Sequence, residues 1–392
     1  MNRVYLDHNA TTPLRPEARM AMQTAMDVVG NPSSVHGEGR AAKALVERAR
    51  AQVAELVGCL PTQVVFTGSA SEAAALAVAQ KGRHGAVFAA LPTEHDCFLA
   101  WSETELKSLV ASDGKTDPAG ASAFLGWVTQ LGGATWAVGH GDVALVAMSA
   151  ANSETGVLQG AGVVPSGAAT SSRAGTLPYA VVCDITQLAG KVPVVYPEGA
   201  RPAYMILSAH KLGGPKGVGA LINFTAEDTV AILRGGGQEM GRRSGTENVI
   251  GIAGFGAAAA AAQRDLANGI WDRVAELRNI LEKALEAGAN KTIFVGKSGQ
   301  RLPNTSCFAT PGWKGETQVM QMDLSGFAIS AGSACSSGKV RASTVLRAMG
   351  FDDDVASSAV RVSLGHETTL DEVEAFAETW LDKEMKHRAR AA

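Results

Sequence analysis

Lys211, Asp184 and Cys335 are the side chains of this 392-residue chain whose types and settings invite chemistry. Lys211 closes Ser208-Ala209-His210-Lys211, directly after the apolar run Tyr204-Met205-Ile206-Leu207 and before Gly213-Gly214-Pro215-Lys216-Gly217. An ammonium is costly to bury at such a strand end, whereas a neutral amine there can bond covalently to an aldehyde. Taken alone, the tetrapeptide reads equally as a surface lysine before a turn. Asp184 ends another apolar run and offers an anion to a protonated ring nitrogen. Thr67-Gly68-Ser69-Ala70-Ser71-Glu72 joins a strand to a helix, where free N–H groups and hydroxyls bind anions. Ser69 or Ser71 serves as well as a simple helix cap. Ser208 and His210 add phosphate donors from a neighbouring strand.

An amine, a carboxylate and a phosphate cradle together are the requirements of pyridoxal phosphate. A carboxylate about 4 Å from the ring nitrogen favours its protonated form by roughly 4 kcal/mol of gross attraction at an effective dielectric near 20. That protonation turns the ring into a sink for negative charge at a substrate Cα. Gln187, one turn past Asp184, is placed to reach the ring hydroxyl. His95, after the run Ala86–Ala89, is placed over the ring face, although a lone histidine there reads also as a core residue.

Cys335 lies in Ser330-Ala331-Gly332-Ser333-Ala334-Cys335-Ser336-Ser337-Gly338, a small and polar stretch unlike core. A loop thiol of this sort can approach a bound substrate and swing away carrying sulfur. An unperturbed thiol is only about a few per cent thiolate at pH 7, so it needs activation. Cys59, Cys97, Cys183 and Cys307 have core-like surroundings. An odd count without a CxxC pair points to a reducing compartment, and the eight histidines show no metal-ligand spacing.

The elements that must position these groups are legible as short apolar runs alternating with helical segments from about residue 40 to 225. Gln63–Phe66, Ala86–Ala89, Val143–Met148, Ala180–Asp184, Tyr204–Leu207 and Val218–Ile222 read as buried strands. Glu38–Val57 and Ser71–Gln80 read as helices between them. Such alternation implies an α/β fold with a mainly parallel sheet, which binds ligands at the carboxyl ends of its strands. Beyond about residue 260 the pattern changes. Gly251–Gln263 predicts a long helix leading into a smaller α+β domain with strands at Lys291–Val295 and Gly326–Ser330. Thr369-Leu370-Asp371-Glu372 is a capping box, and Leu370, Val373, Phe376 or Ala377, and Trp380 or Leu381 form one apolar face of the last helix.

A charged fraction of 19%, an apolar fraction of 46% and a net charge of −3 fit a globular protein and give no sign of a nucleic-acid partner. Met1–His8 has an acid at position 7 and no apolar run, so no signal peptide is expected. The uncharged stretch Ala119–Gly139 is long enough to span a bilayer, but its glycines and polar residues predict a helix and turn outside any membrane. A cytoplasmic location is the expectation.

Nine motifs in order give the chain a resemblance to cysteine desulfurases of the NifS/IscS type, within the class V aminotransferase superfamily. They are Tyr5-Leu6-Asp7-His8-Asn9-Ala10-Thr11-Thr12-Pro13, Asn31-Pro32-Ser33-Ser34-Val35-His36-Gly37, Thr93-Glu94-His95, Asn152-Ser153-Glu154-Thr155-Gly156 and Asp184-Ile185-Thr186-Gln187. Ser208–Lys211, Arg243-Ser244-Gly245-Thr246-Glu247-Asn248, Gly332-Ser333-Ala334-Cys335 and Arg361-Val362-Ser363-Leu364-Gly365 complete the set. The resemblance implies a fold type I pyridoxal-phosphate transferase with a large cofactor-binding domain over 15–260. It implies a small domain from 1–14 plus 261–392, carrying the cysteine loop.

It also implies roles. Ala70 and Ser71 hold the cofactor phosphate with Ser208 and His210, and Thr246 reaches the phosphate of a partner subunit in a homodimer. Asn152 and Gln187 bond the ring hydroxyl, and Arg361, with Asn152, holds the substrate carboxylate. Lys211, His95 and Cys335 are the catalytic set. The implied reaction takes L-cysteine to alanine, with sulfur left on Cys335 and passed to a protein acceptor or scaffold for iron–sulfur clusters or thiolation. Selenocysteine lyase, or another class V enzyme, is the alternative reading. The chain departs from the family pattern at Ala73-Ala74-Ala75, where polar residues are usual, and at His8, where asparagine is.

Overall fold

Runs of buried apolar residues form a six-stranded sheet, and in every strand but Phe88–Ala90 the polar residue after the run marks where the strand ends. The structure, a computed structural model, describes residues 3–84, 87–103, 144–159, 179–196, 201–332 and 342–391. Cys335 and the stretch Ala119–Gly139 lie outside these residues. In chain order the first elements are β1 (Val4–Tyr5), α1 (Pro16–Met26), α2 (Gly37–Val57), β2 (Val64–Thr67), α3 (Ala70–Val78), β3 (Phe88–Ala90) and α4 (Asp96–Leu99). There follow β4 (Ala144–Ser149), β5 (Tyr179–Asp184), β6 (Tyr204–Ser208), β7 (Gly219–Asn223), α5 (Val249–Ala267) and α6 (Ile270–Gly288).

The sheet order is β2-β7-β6-β5-β4-β3. Strands β3, β4, β5 and β6 pair in parallel, and β7 runs antiparallel to both β6 and β2. The expected mainly parallel α/β sheet is therefore present, with strand limits within two residues of the sequence reading. Registers Ser149↔Asp184 and Asp184↔Ile206 put the carboxyl ends of β4, β5 and β6 side by side. Buried β-branched and aromatic residues line both faces. Val64, Phe66, Val181, Cys183, Met205 and Leu207 point to one apolar cluster; Val65, Leu145, Val182, Tyr204 and Ile206 point to another. This alternation is the period-2 geometry of a strand covered on both faces. Each such buried side chain contributes about 1.5–3 kcal/mol.

Helix α2 buries Ala42, Val46, Ala49, Val53 and Val57, a stripe at helical spacing that packs on α5. Ser69 caps α3 by accepting the Glu72 N–H at 3.1 Å. At the family departure over 73–75, Ala73 and Ala74 are fully buried in one apolar cluster and Ala75 is half-buried.

The rest of the chain holds β8 (Ile293–Phe294), β9 (Thr305–Ala309), α7 (Gly315–Leu324), β10 (Phe327–Ala328) and β11 (Ser330–Ala331). It ends with α8 (Thr344–Ala348), α9 (Asp353–Ser358), β12 (Ala359–Ser363) and α10 (Leu370–Ala391). Its sheet runs β11-β12-β9-β8, and β10 pairs with β1 from the start of the chain. The capping box forms, with Thr369 N–H donating to Glu372 and Glu372 N–H to Thr369. Val373, Phe376, Ala377 and Trp380 are buried, but Leu370, in the first turn, is exposed. No helix among the described residues is long and apolar enough to cross a membrane.

Candidate active site

Asn152, Asp184, Ser208 and Lys211 stand at or just past the adjacent carboxyl ends of β4, β5 and β6. Lys211 sits one short turn past β6, its Nζ donating to the carbonyls of Asn9 at 2.6 Å and Ala10 at 2.8 Å. Burial disfavours its ammonium and Arg361 repels it, against the opposite pull of Asp7 and Asp184; together these bring its pKa down to about 8. An amine with that pKa has a substantial neutral fraction near neutrality, as a nucleophilic lysine needs.

Asp184 ends β5 in a buried position and accepts the Thr186 N–H at 2.8 Å. Gln187 is buried; its Nε2 donates to the Asn9 carbonyl at 3.0 Å, so Gln187 and Lys211 share that acceptor. Asn152, after β4, donates to the Thr93 carbonyl at 2.9 Å and accepts from the N–H groups of Glu154 and Thr155. Its Nδ2 retains a second hydrogen for a ligand. His95 is exposed at the start of α4, where its Nδ1 accepts the Cys97 N–H at 3.1 Å. A neutral imidazole whose Nδ1 accepts carries its proton on Nε2, the nitrogen left for a substrate.

Around the α3 terminus, Ser69 is the cap, and the first-turn N–H groups of Ala70 and Ser71 have no intrahelical partner. Gly219 on β7 approaches this turn so closely that a Cβ would stand 2.5 Å from the Ser69 carbonyl carbon. Ser208 is buried at the end of β6, and His210 Nδ1 lies 3.1 Å from the Thr11 hydroxyl. Burial, with Lys211 and Lys216, lowers the His210 pKa to about 4, so it presents a neutral ring. Thr246 is exposed on the loop after Arg243 and lines a cavity of about 120 Å³ with Thr67, Gly68 and Gly217. Lys211 and Asp184 are not among the residues of that cavity.

Arg361, on β12, reaches the site from the second sheet. One terminal nitrogen donates to the Ser153 carbonyl at 2.9 Å and the other to Asp7 at 2.8 Å. Asp7 also accepts the Ser330 hydroxyl at 2.8 Å, tying β11, β12 and the chain's start together.

Four participants carried no signal strong enough to be singled out from sequence. Asp7 was visible only as part of a motif, and its pairing with Arg361 spans most of the chain. The Asn9 carbonyl is a backbone group. Glu94 is buried and accepts the Ser149 N–H at 2.9 Å and the Ser149 hydroxyl; burial raises its pKa to about 8. Lys191 is a second buried lysine, with its Nζ 3.0 Å from Gln187 Oε1.

A depressed-pKa lysine and a buried carboxylate at neighbouring parallel strand ends, beside an open helix N-terminus, form a donor set that fits pyridoxal phosphate. This is the arrangement of a fold type I pyridoxal-phosphate enzyme. The aminotransferase class-V family model matches residues 4–376. A cysteine desulfurase of Frankia sp. (strain EuIK1) is 39% identical over 391 residues, covering 96% of this chain and 90% of that protein. One from Cereibacter sphaeroides is 38% identical, covering 96% and 95%. The X-ray structure of a NifS-like protein from Rickettsia africae superposes with a TM-score of 0.80 at 28% identity, covering 97% of this chain and 99% of that one. The chain belongs to the class-V aminotransferases and, within them, to the cysteine desulfurase family, whose cofactor is pyridoxal phosphate.

Proposed function

We propose that the protein converts L-cysteine to L-alanine and leaves the sulfur as a persulfide on Cys335. The observation that carries this reading is Lys211, with its pKa lowered to about 8, lying within the electrostatic reach of both Asp184 and Arg361. When bound, the cofactor supplies an aldehyde for the substrate amine and a protonated ring that spreads charge from Cα.

The chain's residues do the rest. Ala70 and Ser71 hold the phosphate through the α3 terminus, with Ser208 and His210. Asp184 would keep the ring nitrogen protonated, Asn152 and Gln187 would donate to the ring oxygen, and His95 would stand beside the ring. Arg361, steered by Asp7 and the Ser153 carbonyl, takes the substrate carboxylate with Asn152. Lys211 removes the Cα proton and returns it. His95 Nε2, left free by the Cys97 contact on Nδ1, would hydrogen-bond the substrate sulfur. Cys335 thiolate then attacks the substrate sulfur: an S–S bond forms and the substrate Cβ–S bond breaks. The three-carbon fragment keeps that electron pair and takes up a proton, so cysteine plus thiol gives alanine plus persulfide.

The persulfide is passed to a protein acceptor, serving iron–sulfur cluster or thiolation chemistry in the cytoplasm. The working unit is a homodimer in which Thr246 reaches the partner's cofactor phosphate. The two-domain division is 15–260 against 1–14 plus 261–392. Assaying L-cysteine turnover for alanine and for keto acid tests the reading: equimolar alanine and transferable sulfur support it, and keto acid without sulfur release refutes it.

A further inference from the structure

Lys191 is a buried cation that the chemistry above leaves unused. It follows the turn after β5 and is 4% exposed. Gly190 directs it inward with φ +72°, where a Cβ would meet Ala262 Cβ and Leu212 Cδ2 at 2.8 Å. Only glycine fits that turn, so the inward path of Lys191 is built into the backbone. Its Nζ donates to the Gln187 carbonyl and to Gln187 Oε1, both at 3.0 Å. Burial, with repulsion from Lys211 and Arg361, lowers its pKa to about 7. An aliphatic residue would fill this space without that desolvation cost, so the amine has a task that its bonds to Gln187 identify.

The two faces of a side-chain amide differ. Oε1 accepts and Nε2 donates, and rotation by a half-turn exchanges them. The Lys191 amine donates in both of its contacts with Gln187, so it favours Oε1 over Nε2 on its side of the amide. With Oε1 held, Nε2 must face the other way, and it does, donating to the Asn9 carbonyl that also accepts Lys211. We propose that Lys191 is a positioning residue that locks the Gln187 amide with its N–H₂ group presented to the oxygen on the cofactor ring. The inference rests on the reading of Gln187 as a ring-oxygen donor. Unlocked, the amide spends part of its time with Oε1 toward an oxygen it repels, and cofactor affinity and ring electronics both change.

The test compares holoenzymes carrying Lys191→Met, Lys191→Gln, Gln187→Ala and Lys191→Met with Gln187→Ala. The readouts are the dissociation constant for pyridoxal phosphate and the position of the visible absorption band without substrate. Lys191→Met is expected to weaken cofactor binding about tenfold and shift the band. Lys191→Gln, which keeps an N–H donor but can also accept, restores part of the loss and falls between Lys191→Met and wild type. In the Gln187→Ala background, Lys191→Met changes affinity less than about twofold. Lys191→Ala gives the same comparison if the Met variant does not fold. A Lys191→Met protein with unaltered affinity and band overturns the inference, as does an equal loss with and without Gln187. If Gln187→Ala alone changes neither readout, the role of Gln187 itself is refuted, which separates the two failures.

Discussion

The depressed pKa of Lys211 predicts how fast the cofactor-free protein captures pyridoxal phosphate at each pH. Only the neutral amine attacks an aldehyde. With a pKa of about 8, about a tenth of Lys211 is neutral at pH 7. An exposed lysine near 10.5 has about 0.03% in that form, so Lys211 holds roughly 300-fold more reactive amine. The capture rate should therefore rise through a midpoint near 8 and flatten above 9. Charge variants move that midpoint in opposite directions. Arg361 lowers the Lys211 pKa, so Arg361→Met raises it; Asp7 raises it, so Asp7→Asn lowers it. The Asp7–Arg361 ion pair reinforces both signs, since each substitution also frees the partner's charge. At an effective dielectric near 20, a unit charge on the order of 10 Å away is worth about 1.7 kcal/mol, or about one pKa unit. The assay mixes cofactor-free protein with pyridoxal phosphate from pH 6.5 to 9.5 and follows growth of the visible band. A wild-type midpoint near 10, or variants that shift in the same direction, would refute the reasoning.

Three other outcomes follow from the same geometry. Arg361→Lys loses the planar fork, and the loss of one charged hydrogen bond, about 1.5–3 kcal/mol, should raise the KM for L-cysteine about 10- to 150-fold with a smaller change in kcat, read by steady-state kinetics. Glu94 stays protonated when folded up to about pH 8 but ionises near 4.5 when unfolded, so the folded state binds the extra proton and stability falls as pH rises between these values. In Glu94→Gln the urea-unfolding free energy should lose that slope, up to about 1.4 kcal/mol per pH unit; an unchanged slope would contradict the buried protonated carboxyl. Gly219→Ala pushes a methyl group into the Ser69 backbone, so the α3 terminus must shift and cofactor affinity should fall about tenfold, as equilibrium dialysis would measure.

The large sheet was legible because its strands are buried on both faces and read as continuous apolar runs, all but β3 closed by a polar residue. The ends of those runs are where Asp184 and Lys211 had to be. The strands of the smaller sheets were harder: β8, β10 and β11 are two residues each, too short for any alternation to register. Ser69 and Ser71 both suited the cap, and only the Glu72 N–H settled it on Ser69. Asn152 was readable as a donor, but not that three protein donors would occupy its oxygen. Asp7 and Lys191 were hidden for different reasons. The pairing of Asp7 with Arg361 is purely tertiary, and Lys191 looks like any lysine after a Gly turn until its burial is known. Thr246 was carried by motif resemblance alone, and Cys335 by its small, polar stretch together with the resemblance.

The central claim is that Lys211 starts the chemistry at Cα and Cys335 receives the sulfur. Intact-mass measurement of the holoenzyme after brief exposure to L-cysteine, followed by peptide mapping, tests it directly. The account predicts one added sulfur atom on the Cys335 peptide with one equivalent of alanine, and neither in Lys211→Ala. Sulfur found on Cys59, Cys97, Cys183 or Cys307 instead, or wild-type alanine formation by Cys335→Ser, would contradict it.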